Sequence, residues 1–185
     1  GAIYLADKIK EDAPSTIAEL NSKGIKTIML TGDNHEAALR VAGKLGVSEF
    51  YAGLLPTDKV EIVEKIIESK PEGHKLAFVG DGINDAPVLA RADVGIAMGG
   101  LGSDAAIEAA DMVIMNDQPS KLNRIIKISN KTMKIAIENI IFAISVKVLV
   151  LILSALGIVG LWAAVFADVG VSMLAIINAL RCLKN

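Results

Sequence analysis

The sequence is poor in cysteine and in aromatic residues, and its charges nearly balance. Cys182 is its single cysteine, which excludes an internal disulfide and any metal site built from two cysteines of this chain. Aromatic residues make up 4% of the 185 residues, and the formal net charge is −2. Nucleic-acid-binding proteins usually combine a basic surface with exposed aromatic side chains, so we expect no nucleic-acid partner.

Ionisable residues are also scarce near the carboxyl end. Residues 135–180 contain only Glu138, Lys147 and Asp168, whereas residues 1–134 mix charged and apolar side chains as soluble α/β proteins do. The chain begins with GAIYLADKIKEDAP, which has neither an initiator methionine nor the basic start and apolar run of a signal peptide. We therefore expect the chain to be a portion of a longer protein.

These contrasts predict three segments. A soluble domain occupies residues 1–120, a basic juxtamembrane helix residues 121–134, and two transmembrane helices residues 135–185.

Apolar strands and amphipathic helices alternate in the soluble segment. The predicted order is a strand in KTIMLTGD (26–33), a helix at 34–46, a helix at 56–70, a strand at 76–80, a helix at 85–91, a strand at 94–98, a helix at 104–109 and a strand at 112–115. Because such alternation favours parallel strands covered by helices on both faces, the predicted fold class is α/β with a parallel sheet.

Polar side chains follow the predicted strands of this sheet. Thr31 and Asp33 follow the first strand, Lys59 begins the next helix, and Asp81 and Asp85 follow a later strand. Open α/β sheets bind ligands at the carboxyl ends of their strands. Hydroxyl groups, a lysine and paired carboxylates there can hold phosphate oxygens and Mg²⁺, so the pattern predicts a phosphoryl-transfer site.

Each of these features also has an ordinary structural interpretation. Thr-Gly-Asp is a common turn between a strand and a helix, Lys59 fits a solvated helix surface, and Asp85 fits a helix cap. Their joint order, together with the unbroken GDGINDAP (80–87), favours the functional interpretation.

Four motifs carry a family resemblance. They are MLTGDN (29–34), PTDK (56–59), VGDGINDAP (79–87) and GSDAAIEAAD (102–111). Together they resemble the phosphorylation domain of P-type ATPases, which belong to the haloacid dehalogenase superfamily. The resemblance implies an incomplete haloacid-dehalogenase-like, Rossmann-like domain followed by a transmembrane helical hairpin.

The resemblance also implies roles for individual residues, with ATP as substrate and Mg²⁺ as cofactor. Asp81 would hold Mg²⁺ with Asp85, Lys59 would contact the phosphoryl group, and Asn84 would support the placement of phosphate and metal. The phosphorylated aspartate would be contacted by Thr31, Gly32 and Asp33.

Three parts of such an ATPase are missing from the chain. It contains no DKTGT motif with its phosphorylated aspartate, no nucleotide-binding domain and no TGE loop. The resemblance implies that these lie in an amino-terminal portion of the same pump, and that this chain alone is inactive.

Two apolar runs, at 135–156 and 158–180, are each long enough to cross a bilayer. Gly157 and Gly160 lie in the uncharged turn between them. Basic residues lie outside both runs, at Lys121, Arg124, Lys127, Lys131, Lys134, Arg181 and Lys184. The positive-inside rule then predicts membrane helices with the soluble domain and carboxyl terminus in the cytoplasm. The alternative is a soluble helical hairpin.

Lys147 and Asp168 stand at similar predicted depth in these two helices. Each is about ten residues from the turn, or roughly 15 Å along its helix. A charge in the hydrocarbon core costs several kcal/mol, about 2.5–3.5 on insertion scales, so the two charges need a partner or a function. They fit a structural ion pair, or a cation site in which Asp168 binds the metal and Lys147 is its counter-ion.

The segment FADVGVSMLAIINALRCL (166–183) resembles the last membrane helix of heavy-metal P-type ATPases. Asp168 and Lys147 together resemble the zinc, cadmium and lead branch, which implies an integral protein of the cell membrane that exports these cations. Two alternatives remain open: a membrane-anchored phosphatase of the same superfamily, and a non-catalytic fragment of a truncated gene.

Overall fold

The computed structural model describes residues 8–99 and 104–183. The chain divides into two compact units, with the division after Asn123. Helices and strands alternate in the described part of the first unit. In chain order they are α1 (Ala13–Ser22), β1 (Ile28–Leu30), α2 (His35–Leu45), β2 (Glu49–Tyr51), α3 (Pro56–Ser69), β3 (Ala77–Gly80), a 3₁₀ turn (Ile83–Asp85), α4 (Ala86–Arg91), β4 (Val94–Met98), α5 (Asp104–Ala109) and β5 (Met112–Ile114).

All strand pairs in the described residues are parallel, as the alternating pattern predicts, but they form two sheets. β1 pairs with β2, placing Ile28 opposite Glu49, and β3, β4 and β5 form a second sheet in that order. The sequence pattern does not reveal this division, because it shows which segments are strands and not which edges meet.

Residues of α3, α4 and β4 form the core beside the second sheet. Val63, Val88 and Leu89 are almost completely buried, and Ile96 of β4 is buried as well. Gly95 permits this packing, because a Cβ there would lie 2.5 Å from the backbone oxygen of Leu89. The close approach of α4 to β4 positions the loop that precedes α4.

The ends of α2 follow from local chemistry. The Asn34 side chain accepts a hydrogen bond from the Ala37 amide at 2.9 Å and so caps the first turn. Gly46 ends the helix in the left-handed conformation, with φ of 70°.

The first turn of α3 has a different stabilising contact. Asp58 accepts a hydrogen bond from the Leu55 amide at 2.9 Å, and Pro56 occupies the first helical position.

Sequence analysis missed α1 and β2. Only Thr16 and Leu20 are buried in α1, so its sequence shows little of the apolar periodicity that marks a helix. β2 has three residues and is too short for a clear alternating pattern.

Two helices form the second unit. α6 spans Lys121–Ala155 and begins three residues before the unit boundary, and α7 spans Leu161–Ala179 and is followed by a 3₁₀ turn at Leu180–Cys182. Gly157 has a φ of 73° in the connecting loop, and Gly160 precedes α7. The predicted basic helix and first apolar run are therefore one continuous helix.

Both helices of the hairpin have apolar surfaces that no other part of the unit covers. Within the described residues, Lys121–Ala155 and Ala164–Cys182 meet the length and hydropathy of a membrane span, and only 6% of each apolar window is buried. Leu151 and Phe166 are 71% and 74% exposed. The core helices of a soluble protein bury such side chains, so this surface favours lipid as the surrounding medium.

Candidate functional site

The turn after β1 is held together by its own side chains. The Thr31 hydroxyl donates to the Asp33 carboxylate at 3.0 Å and accepts a hydrogen bond from the Asp33 amide at 3.1 Å. The predicted Thr31 and Asp33 are therefore in direct contact, on a turn with an exposed carboxylate.

The loop after β2 braces this turn through backbone hydrogen bonds. The Gly53 amide donates to the Asp33 carbonyl at 2.7 Å, and the Leu54 amide donates to the Thr31 carbonyl at 3.1 Å. A Cβ on Gly32 would lie 3.3 Å from the Leu54 oxygen, so a glycine suits this close approach. The TGD turn and the loop that leads to Lys59 thus form one connected structure.

Lys59 and Asp85 meet in an ion pair at the carboxyl end of β3. The Lys59 Nζ lies 2.8 Å from the Asp85 Oδ1, and the two side chains are 18% and 13% exposed. The pair joins the first turn of α3 to the residue just before α4. These two segments are 26 residues apart in the sequence. Asp85 makes no side-chain cap bond to α4, so its carboxylate serves the lysine and not the helix.

Gly80 explains how Asp85 reaches this position. A Cβ on Gly80 would lie 2.8 Å from the Asp85 Cβ and 2.9 Å from its Oδ2. The Asp85 side chain therefore packs directly over the last residue of β3. Asp81 follows in the chain and is exposed, as is Asn84, and neither side chain makes a hydrogen bond within the described residues.

Asp81 and Asp85, which follow β3, are the two carboxylates that could hold Mg²⁺. In the described residues no three His, Cys, Asp or Glu side chains come together as a metal cluster. Mg²⁺ commonly takes only one or two protein carboxylates and completes its shell with water and substrate phosphate, so a pair suffices when a phosphoryl group binds nearby.

Lys147 and Asp168 form an ion pair between α6 and α7. The Lys147 Nζ lies 2.9 Å from the Asp168 Oδ1. The pair borders a cavity of about 330 Å³ whose walls include Val146, Val150 and Ser154. Lys147 and Asp168, which the sequence places at similar depth, therefore do meet.

Sequence reasoning missed a third lysine–carboxylate pair, centred on Asp93. Its Oδ2 accepts hydrogen bonds from the Leu76 amide at 2.7 Å and from Lys70 Nζ at 2.5 Å, and Lys75 lies 3.5 Å from its Oδ1. The amide of Leu76 and the Lys70 ammonium lower the pKa of Asp93 to about 2. The position of Asp93 just before the apolar strand β4 is the only sequence signal for this role.

It also missed polar side chains that join the two hairpin helices. They are Glu138, Asn139, Asn178 and Arg181. Asn139 and Asn178 in otherwise apolar segments were the signal that could have found them, because a polar side chain in such a segment needs a partner.

Comparison with protein families identifies the first unit. A model described as haloacid dehalogenase-like hydrolase matches residues 1–93, and a second model of the same description matches residues 56–140. The chain belongs to the haloacid dehalogenase-like hydrolases.

The resemblance of this haloacid dehalogenase-like chain to heavy-metal P-type ATPases is also confirmed. It is 56% identical over its full length to the cadmium, zinc and cobalt-transporting ATPase of Bacillus subtilis, and 45% identical to the zinc/cadmium/lead-transporting P-type ATPase of Shigella sonnei. It spans 26% and 24% of these two relatives.

A solved structure gives the same result for the fold of this haloacid dehalogenase-like chain. A zinc-transporting PIB-type ATPase in an E2·Pi state superposes on 96% of the chain with a TM-score of 0.88 and 45% identity, and the chain covers 28% of that structure. The superposition includes both the α/β unit and the hairpin, which confirms the predicted fold class.

Proposed function

We propose that the protein containing this chain is an ATP-driven exporter of Zn²⁺, Cd²⁺ and Pb²⁺ that works through an aspartyl phosphate. The observation that carries the proposal is the Lys147–Asp168 ion pair, in an apolar hairpin that follows a haloacid dehalogenase-like unit. A membrane-anchored phosphatase needs only an anchor, whereas a cation pump needs ionisable groups between its membrane helices.

The two separate sheets support a missing strand that carries the acceptor aspartate. Within the described residues β1 and β3 each pair on one side only. A parallel strand placed between them would unite the sheets, and its carboxyl end would lie between the Thr31 turn and Asp81. A two-stranded parallel sheet is a poor structure by itself, so we propose that the amino-terminal portion supplies this strand.

The residues of the α/β unit have separate roles in this mechanism. Lys59 neutralises the transferred phosphoryl group, and its pairing with Asp85 keeps the ammonium at the strand end beforehand. Thr31 and Asp33 present a hydroxyl and a rigid turn to the phosphorylated aspartate, while Asn84 supports phosphate placement. Mg²⁺, held by Asp81 and Asp85, would supply positive charge to the phosphoryl oxygens.

In the hairpin, Asp168 supplies a carboxylate oxygen to the cation and Lys147 replaces the cation when it leaves. This exchange prevents an unpaired carboxylate in an apolar surrounding. Carboxylate ligation suits Zn²⁺ and Cd²⁺ better than Cu⁺, which prefers sulfur ligands. The basic residues that flank the apolar runs support a cytoplasmic α/β unit and carboxyl terminus in the cell membrane.

Two substitutions in the complete protein test this function. Asp81→Asn should abolish Mg²⁺-dependent phosphorylation by ATP, and Glu64→Gln is the matched control because Glu64 is a surface carboxylate paired with Arg91. Asp168→Ala should abolish Zn²⁺- and Cd²⁺-stimulated ATP hydrolysis while the protein still accepts inorganic phosphate. Normal phosphoenzyme in Asp81→Asn, or normal cation stimulation in Asp168→Ala, would remove that residue from its proposed role.

A further inference from the structure

A chain of polar side chains joins α6 to α7 at the end of the hairpin away from the turn. Asn139 Nδ2 donates to the Ala175 carbonyl at 3.1 Å, and Asn178 Nδ2 donates to Asn139 Oδ1 at 2.8 Å. Arg181 donates to Asn178 Oδ1 at 2.8 Å, and it lies 3.4 Å from a Glu138 oxygen. We call Glu138, Asn139, Asn178 and Arg181 the polar clamp.

The two asparagines of the polar clamp use both ends of their amides. Asn139 donates to one residue of α7 and accepts from another, and Asn178 donates across the hairpin while it accepts from Arg181. Both asparagines are partly buried between the helices. Interhelical amide bonds in an apolar medium replace the water that these groups would otherwise bind, so they hold one particular alignment of the helices.

The ion pair lies between the polar clamp and the turn. Asn139 precedes Lys147 by eight residues, or about 12 Å of helix, and Gly157 follows Lys147 by ten residues, or about 15 Å. Asn178 follows Asp168 by ten residues, again about 15 Å. The hairpin is therefore fastened on both sides of Lys147 and Asp168.

We propose that the polar clamp is a positioning device that fixes the register of α7 against α6, so that Lys147 meets Asp168 again each time a cation leaves. This inference rests on the proposed function for its cation. The ion pair must open when Asp168 binds metal, so it cannot hold the register at that step. A slide of one helical turn would move Asp168 by about 5.4 Å and leave it without its lysine.

A double-mutant cycle in the complete protein tests this positioning role. Asn178→Ala should weaken the competition of Lys147 with the cation, so the Zn²⁺ concentration for half-maximal ATP hydrolysis should fall several-fold and the maximal rate should fall as well. Lys147→Met should produce the same two changes, and adding Asn178→Ala to it should produce no further shift. An equal shift in both backgrounds would overturn the proposal, because the clamp would then act independently of Lys147.

The matched control is Ser172→Ala. The Ser172 hydroxyl donates at 2.9 Å to the Asp168 carbonyl of its own helix and makes no bond to α6 among the described residues. Loss of this hydroxyl should change neither the Zn²⁺ concentration for half-maximal ATP hydrolysis nor the maximal rate of hydrolysis. Asn139→Ala removes the Asn139–Asn178 bond from the other helix and also the bond to the Ala175 carbonyl. It should therefore shift both quantities in the same directions as Asn178→Ala, and it provides a second test if one variant folds poorly.

A geometric measurement separates failure of this inference from failure of the proposed function. Cysteines placed at Leu151 and Ala164, which line the same cavity, should be joined by a short thiol cross-linker and identified as one peptide pair by mass spectrometry. Cross-linking between cysteines at positions 148 and 164 should be slower than between those at 151 and 164. If Asn178→Ala leaves this preference unchanged, the clamp does not set the register. If no cation stimulates the wild type, the proposed function fails and the cross-linking result alone decides the clamp.

Discussion

Two lysine–aspartate pairs of nearly equal length lie in very different surroundings. Lys59 and Asp85 are 2.8 Å apart with side chains 18% and 13% exposed, and Lys147 and Asp168 are 2.9 Å apart with side chains 61% and 57% exposed. The first pair is enclosed by the α/β unit itself. The second pair is largely exposed within its own unit, so the medium that covers the hairpin determines its surroundings.

This difference shows that the exposed fraction of an ion pair has opposite consequences for its stability in the two units. An ion pair open to water contributes about 0–1 kcal/mol, whereas an ion in hydrocarbon without its partner costs several kcal/mol. If lipid covers the hairpin, the more exposed pair is the one that depends more strongly on its partner. In the proposed function, the first pair serves a ligand that arrives from water, and the second serves an ion that must leave water.

The largest effect is expected when the first pair loses the positive charge of Lys59. Lys59→Met keeps most of the side-chain length but removes the charge that we propose faces the phosphoryl group. We expect phosphoenzyme formation in the complete protein to fall by about 10²–10³-fold. Lys65→Met is the control, because Lys65 lies on the same helix and is 74% exposed. Equal phosphorylation of the two variants would show that Lys59 is only a structural partner of Asp85.

Exchanging the charges of the second pair distinguishes a structural pair from a cation site. The double variant Lys147→Asp with Asp168→Lys retains one positive and one negative side chain across the hairpin, so expression and protease resistance should be preserved. Cation-stimulated ATP hydrolysis should fall by at least about tenfold, because the carboxylate now lies on the wrong helix. Full activity of the exchanged pair would favour a purely structural role.

Gly80→Ala should damage the first pair without touching the second. The new methyl would lie 2.8 Å from the Asp85 Cβ, so Asp85 must shift away from Lys59. We expect phosphoenzyme formation to fall by about tenfold, since misplacement by about 1 Å is enough to reduce catalysis. Gly43→Ala in α2 has open space around its Cβ and should be neutral or stabilising by about 0.5–1 kcal/mol. Thermal unfolding would separate a local effect from general destabilisation.

The sequence predicted the helices other than α1, the strands other than β2, the parallel arrangement of the strands and the pairing of Lys147 with Asp168, because each depended on local or depth information. It placed Lys59 and Asp85 at one site but did not predict their ion pair. Asn34 and Gly46 marked the ends of α2, and GDGINDAP indicated the site. The depth of Lys147 and Asp168 followed from counting residues along a helix. These features could be read from the chain because neighbouring residues determine them.

The remaining features depend on contacts between distant segments. The short β2 and the weakly patterned α1 gave little signal, and the division into two sheets depends on which edges pair. Asp93 and the polar clamp looked like isolated polar residues until the structure placed their partners beside them. The partners that lie on other helices or strands are 17 to 43 residues away, beyond what a sequence pattern reports.

The third pair, Lys70–Asp93, provides the smallest effect and a reference for the other two. Its side chains are 18% and 17% exposed, close to those of Lys59 and Asp85, but it ties α3 to β3 and β4 away from the candidate site. Asp93→Asn keeps an oxygen for the Leu76 amide and should leave phosphoenzyme formation unchanged. If activity falls with it, burial of a lysine–aspartate pair is itself what the unit requires, and the special role of Lys59 is weakened.

Acid stability should nevertheless distinguish Asp93 from its asparagine variant. The pKa of Asp93 is lowered to about 2 in the folded protein, below its ordinary value of 3.8, so the folded state favours the charged form. The resulting stabilisation is complete above the ordinary pKa and is lost as the pH falls from about 4 to about 2. The thermal unfolding temperature of the wild type should fall across that pH interval more steeply than the unfolding temperature of Asp93→Asn. Parallel curves would mean that the charge on Asp93 contributes nothing, and that the amide bond to Leu76 holds the two strands by itself.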